Sequence, residues 1–224
     1  MKRKNVPFRV LAAFLLMLLL TPAIGSLHAQ ASDIKSGDEP IRRGAERVKL
    51  HDIRDVDFKN FKYQLSNAAW MTLEIARTTE VHNGEMSQHD GYFKVERQLY
   101  GDLTGDGRDE AVVIVNWGLE GANWWGTDIY VFTLADRLVQ LALISEDATE
   151  HDYHRWFPSG GNASEGNVWK TLDDKITIQR QMLIIQRYVD GPHCCPENIA
   201  SMIYRWDGNT FVLGSRPEKR KIEP

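Results

Sequence analysis

The sequence predicts a mainly β domain: an antiparallel meander forming a sandwich or a strongly curved sheet, with at most one or two short helices. Three observations predict it. Apolar and polar residues alternate with period two, as in Phe58-Lys59-Asn60-Phe61-Lys62-Tyr63-Gln64-Leu65. Turn signals separate the runs, among them Asn83-Gly84 and Asp207-Gly208-Asn209. No segment longer than about ten residues carries a clean 3.6-residue apolar period; the best helix candidate, Leu65 to Thr79, is ambiguous with a strand at Trp70–Ile75.

Taken in order, Phe58–Leu65 reads as a half-buried strand, and His82-Asn83-Gly84-Glu85 as a turn. Tyr92–Tyr100 is a strand, and Ala111–Trp117 is one apolar enough to be central. Gly118–Gly126 reads as a glycine-rich loop. Asp128–Leu134 and Leu138–Ile144 make a hairpin around Ala135-Asp136-Arg137. Ser145–Asn167 reads as a long polar loop, Lys175–Val189 as one or two strands, and Ser201–Trp206 with Thr210–Leu213 as a second hairpin.

The N-terminus has the layout of a secretory signal over residues 1–31. Lys2, Arg3, Lys4 and Arg9 precede eleven apolar residues, Val10–Leu20, and Ala29-Gln30-Ala31 offers cleavage after Ala31 or Ala29. A membrane anchor needs about 20 apolar residues, and Pro22 and His28 interrupt this one. No lipobox cysteine follows. The expected product is secreted or periplasmic, in a bacterium, with no stable membrane anchor after signal cleavage. Residues 32–47, polar with Gly37, Pro40 and Gly44, read as a flexible arm, 48–216 as one β-rich domain, and 217–224 as a charged tail.

Of 27 Lys and Arg, four lie in the leader, which holds none of the 31 Asp and Glu; 23 against 31 leaves a mature net charge of −8. That argues against a nucleic-acid footprint and suits cations better.

The most informative run is Asp102-Leu103-Thr104-Gly105-Asp106-Gly107-Arg108-Asp109-Glu110, with four carboxylates and two glycines in nine residues. Hard cations need several oxygen ligands at close range. Side chains of Asp102, Thr104, Asp106 and Glu110, with the Arg108 carbonyl, are the candidate calcium ligands. The competing reading is a metal-free acidic turn, in which the carboxylates repel one another. An EF-hand is excluded, because Val113 stands at position 12 where its Glu belongs. The nonamer resembles the calcium loops of FG-GAP and VCBS repeats, with Thr104 in place of an Asp or Asn. Those repeats come in tandem, and a single copy here argues against a propeller.

Cys194-Cys195-Pro196 is compatible with a vicinal disulfide, two buried thiols or an intermolecular bridge; the pair reads as structural, since redox centres more often use C-x-x-C spacing. His151 and His154, with His193, read as surface-loop residues rather than a zinc site. Trp124, Trp125 and Trp156 read as core before they read as sugar platforms. No G-x-S-x-G, P-loop or G-x-G-x-x-G is present, and Ser159-Gly160-Gly161 has no evident partner.

Asp55–Phe61, Tyr100–Gly107, Ala111-Val112-Val113, the Cys-Cys-Pro turn and Tyr204-Arg205-Trp206-Asp207-Gly208 together resemble a group of small bacterial exported proteins of the LppP/LprE lipoprotein kind. The resemblance implies an exported domain and no reaction. The expected function is a non-enzymatic β-rich domain with a structural calcium, binding a cell-envelope or extracellular partner. The alternative is an envelope hydrolase or carbohydrate-binding protein using the acidic loop with Trp124 and Trp125.

Overall fold

The computed structural model describes residues 50–65, 78–88, 91–119, 125–158 and 166–223. The leader, the arm and nearly all of the Leu65–Thr79 helix candidate, including Trp70–Ile75, lie outside them. Among the described residues no helix is long and apolar enough to cross a membrane.

The chain is mainly antiparallel β with one α-helix among the described residues. β1 (Lys62–Gln64) pairs with β2 (Thr78–Glu80). β3 (Glu85–Gln88), β4 (Gly91–Gly101), β5 (Glu110–Leu119), β6 (Trp125–Leu134) and β7 (Leu138–Ile144) form a five-stranded meander in chain order. Helix α1 (Glu146–His154) follows. β8 (Val168–Thr171), β9 (Thr177–Gln179), β10 (Met182–Val189), β11 (Asn198–Trp206), β12 (Phe211–Leu213) and β13 (Glu218–Lys221) build a second sheet. Its central pair is β10–β11. The outer edge of β10 is shared by β9 and β8, and that of β11 by β12 and β13.

β5 is apolar from Ala111 to Val115 because it is covered on both faces. Ala111, Val113, Val115 and Trp117 meet one cluster; Val112 and Ile114 meet another. The first holds Phe58, Tyr63 and Val81 from the N-terminal layer. Its rings interlock: Tyr63 lies 5.0 Å from Tyr130 and 5.4 Å from Phe93, and the Tyr130 hydroxyl donates to the Gln64 carbonyl at 2.5 Å. The second cluster seals the sandwich with Ile129, Val131 and Ile144 against Leu183, Ile185, Met202 and Tyr204.

Several expectations need correction. Phe58–Leu65 is strand only in its second half: Asp57 accepts the Lys59 and Asn60 amides and curls the chain over Phe58–Asn60, and Lys62–Gln64 pairs. Gly118–Gly126 is not one loop: β5 runs to Leu119 and β6 starts at Trp125, with Gly118 opposite Trp125. The long polar loop contains α1, capped by the Ser145 hydroxyl, which accepts the Ala148 amide at 3.1 Å, with Glu146 and Asp147 in its first turn. Half of the charged tail, Glu218–Lys221, pairs as β13; its exposed charged side chains suit an edge.

Candidate functional site: the acidic loop and its surroundings

The loop joins β4 to β5 at one end of the five-stranded sheet. Leu103, 1% exposed, plugs the inter-sheet core and pins the loop from below. Gly105 and Gly107 both take φ +82°, which a side chain rarely tolerates, so the acidic residues are spaced by glycine for a backbone reason.

Each carboxylate has its own donors. Asp102 accepts the Gly105 amide at 2.6 Å and the Gly107 amide at 3.2 Å. Glu110 is fully buried, and both its oxygens are used. One accepts the Leu103 and Thr104 amides at 2.8 and 3.1 Å, the other the Thr104 and Thr133 hydroxyls at 3.3 and 3.2 Å. Asp106 accepts from the Arg108 guanidinium and amide, and these bonds hold its carboxyl below the usual range; the Thr104 hydroxyl adds to the effect. Asp109 pairs with Arg54 at 2.5 Å, whose guanidinium lies 5.0 Å from the Tyr100 ring centroid. The loop thus answers carboxylate repulsion with amides, hydroxyls and two arginines.

Among the described residues no three His, Cys, Asp or Glu side chains converge to hold a metal. The side-chain oxygens of the candidate ligands Asp102, Thr104, Asp106 and Glu110 are engaged in loop bonds, although Thr104 touches both Glu110 and Asp106. The Arg108 guanidinium on Asp106 and the amides on Asp102 and Glu110 take oxygens that a cation would use, and the Arg108 carbonyl is the fifth candidate ligand.

The other candidates are dispersed. His151 is exposed on α1, and His154 donates from Nε2 to the Gly166 carbonyl at 2.8 Å. Both are helical, not loop residues as expected. His193 meets the Trp169 ring edge-on at 5.0 Å. Trp124, Ser159, Gly160 and Gly161 lie outside the described residues. Trp125 is half-buried with Lys170 Nζ 5.3 Å from its ring centroid. Trp156 is 45% exposed, not core: Tyr153 and Phe157 take the inward positions at the end of α1, stacked at 4.9 Å. Cys194 and Cys195 are both exposed, against the buried-thiol alternative.

One polar cluster escaped sequence reasoning. Arg187, 1% exposed, pairs with Glu146 and donates to the Glu146 carbonyl at 2.9 Å, the Trp169 carbonyl at 2.8 Å and the Thr149 hydroxyl. Glu146 also accepts the Thr127 amide at 3.0 Å and the Thr171 hydroxyl at 2.8 Å. A signal existed: Leu183, Ile185, Arg187 and Val189 share one face of β10, so the alternation itself places Arg187 inside.

No protein-family model, no curated protein and no solved structure matches the chain.

Proposed function

We propose that the chain is an exported, non-enzymatic β-rich domain that serves a cell-envelope or extracellular partner, with the 102–110 loop as a calcium-responsive clamp. One observation carries the clamp: Glu110 closes the loop from within through four hydrogen bonds, while Asp102 and Asp106 stand at its open side. A buried carboxylate spent on backbone amides and hydroxyls organises a loop; it is not poised to attack or to exchange a proton with a substrate. The leader and the acidic mature charge support export and a cation ligand. Calcium would be taken by Asp102, Thr104, Asp106, the Arg108 carbonyl and Glu110, with Arg108 swinging away from Asp106. A sugar platform at Trp125 is disfavoured, because Lys170 lies against that ring.

Calorimetric titration of the mature protein with calcium, with magnesium as control, tests the ligand. Heat together with a raised melting temperature supports the clamp as calcium-responsive. Neither heat nor a shift removes calcium and leaves a purely protein-made clamp.

A further inference from the structure

We propose that Cys194 and Cys195 are a redox modification site, closing reversibly to a vicinal disulfide by exchange with an external disulfide of the exported compartment. Beyond the end of β10 the chain turns through Asp190 at φ +57° and Gly191 at φ +75°. The turn is held on all sides. Asp190 accepts the Gly166 amide at 3.0 Å, and Asn198 Nδ2 and Lys219 Nζ at 2.9 Å each. Its carbonyl accepts the Glu197 amide at 3.3 Å, and Asn167 Nδ2 donates to the Gly191 carbonyl at 3.1 Å. A Cβ on Gly191 would lie 2.7 Å from the Cys195 carbonyl, so the two arms of the turn are pressed together. The Cys195 amide donates to the Pro192 carbonyl at 2.8 Å, leaving the two thiols on the exposed crest. Their sulfurs are 2.8 Å apart.

That geometry sets both reactivity and order. The Cys195 thiol donates to the Cys194 sulfur, and this bond, burial and the neighbouring charge push the Cys195 thiol up. Cys194 is then the attacking sulfur. Its thiolate attacks an external disulfide such as oxidised glutathione, forming a mixed disulfide and releasing one thiolate. Cys195 loses its proton and attacks the Cys194 sulfur; the intramolecular bond forms and the second external thiolate leaves. The protein loses two electrons and two protons, and the external disulfide becomes two thiols. His193 precedes the 194–195 peptide that the new ring contains and meets Trp169 edge-on, so ring closure is expected to alter that contact.

The test incubates the reduced mature protein with oxidised glutathione, quenches with acid, alkylates, and examines the tryptic peptide Tyr188–Arg205. The expected peptide lacks two hydrogens and takes no alkyl group, with alkylation falling at least about tenfold and returning on reduction. Cys195→Ser is expected to stop at a single glutathione adduct, and Cys194→Ser to remain mostly unmodified. Tryptophan fluorescence should shift reversibly in the parent and in neither single variant, and Trp169→Phe should abolish the shift. Persistent glutathione adducts on the parent, peptides cross-linked between two chains, or unchanged alkylation would each overturn the proposal.

Discussion

Two carboxylates, Glu110 and Glu146, do similar work in different surroundings. Each gathers backbone amides and threonine hydroxyls from neighbouring segments. Glu110 sits beneath a loop whose other acids face water and whose arginines, Arg54 and Arg108, stay half exposed. Glu146 sits between the sheets, paired with Arg187 in near-complete exclusion of water. The difference teaches what each charge can exchange. In the dry site a guanidinium has no substitute, since water cannot replace it. At the rim, Arg108 competes with solvent and with any cation that reaches Asp106.

Arg187→Ala separates the two regions most sharply. It leaves Glu146 buried without its counter-charge and frees the carbonyls of Glu146 and Trp169. The expected loss is about 3–5 kcal/mol in urea unfolding. Adding Glu146→Gln should recover part of it, because the amide oxygen still accepts from Thr127 and Thr171 while the stranded charge is gone. A double-variant loss equal to the sum of the two single losses would show that the pair has no mutual dependence.

Glu110→Ala comes next. It strips acceptors from two amides and two hydroxyls, one amide belonging to buried Leu103, for an expected loss of about 2–3 kcal/mol by the same unfolding measurement. Glu110→Gln should cost less than about 1 kcal/mol. If Gln proved as damaging as Ala, negative charge itself, and hence a cation, would be part of the loop.

These two sites also mark where sequence reading succeeds. The meander from Tyr92 to Ile144 was legible because each strand's pattern is local: alternation or a continuous apolar run, bounded by turn residues. The acidic loop was legible as a cluster, because its acids lie within nine consecutive residues. Which donors each acid takes was not, since Arg54 and Thr133 arrive from distant segments. The Glu146–Arg187 cluster is scattered from Thr127 to Arg187; the β10 alternation places Arg187 inside, but nothing local names its partners. Helix α1 hid for a related reason: its inward residues are Glu146, Thr149 and Tyr153, spaced for a helix but largely polar, so an apolar-period search passes over it.

A third substitution tests exchange at the rim. Arg108→Ala removes the guanidinium that holds Asp106. Calcium affinity is expected to rise, by up to about fivefold, with little change in unfolding midpoint without calcium. The matching change is not available to the dry site, where removing the arginine unfolds rather than opens it. An Arg108→Ala protein as silent to calcium as its parent would mean that the Asp106 pair is not what competes.

The smallest effect concerns a third acid, Asp190, 3% exposed yet reached by a surface lysine. Burial alone would raise its pKa, but the Gly166 amide, Lys219 and Asn198 more than offset this, and the net shift is downward. A carboxyl depressed in the folded state adds stability above its unfolded pKa of about 3.9 and loses it as pH falls through the lower folded value. Lys219→Met removes one of the offsetting donors, so the folded pKa should rise toward the unfolded one. The variant is expected to lose about 0.2–1 kcal/mol at neutral pH, and the gap to the parent should close as urea unfolding is repeated down to about pH 2.5. A gap independent of pH would assign the loss to the Lys219 ammonium over Phe157, with Nζ 4.5 Å from the ring centroid, rather than to its charge on Asp190.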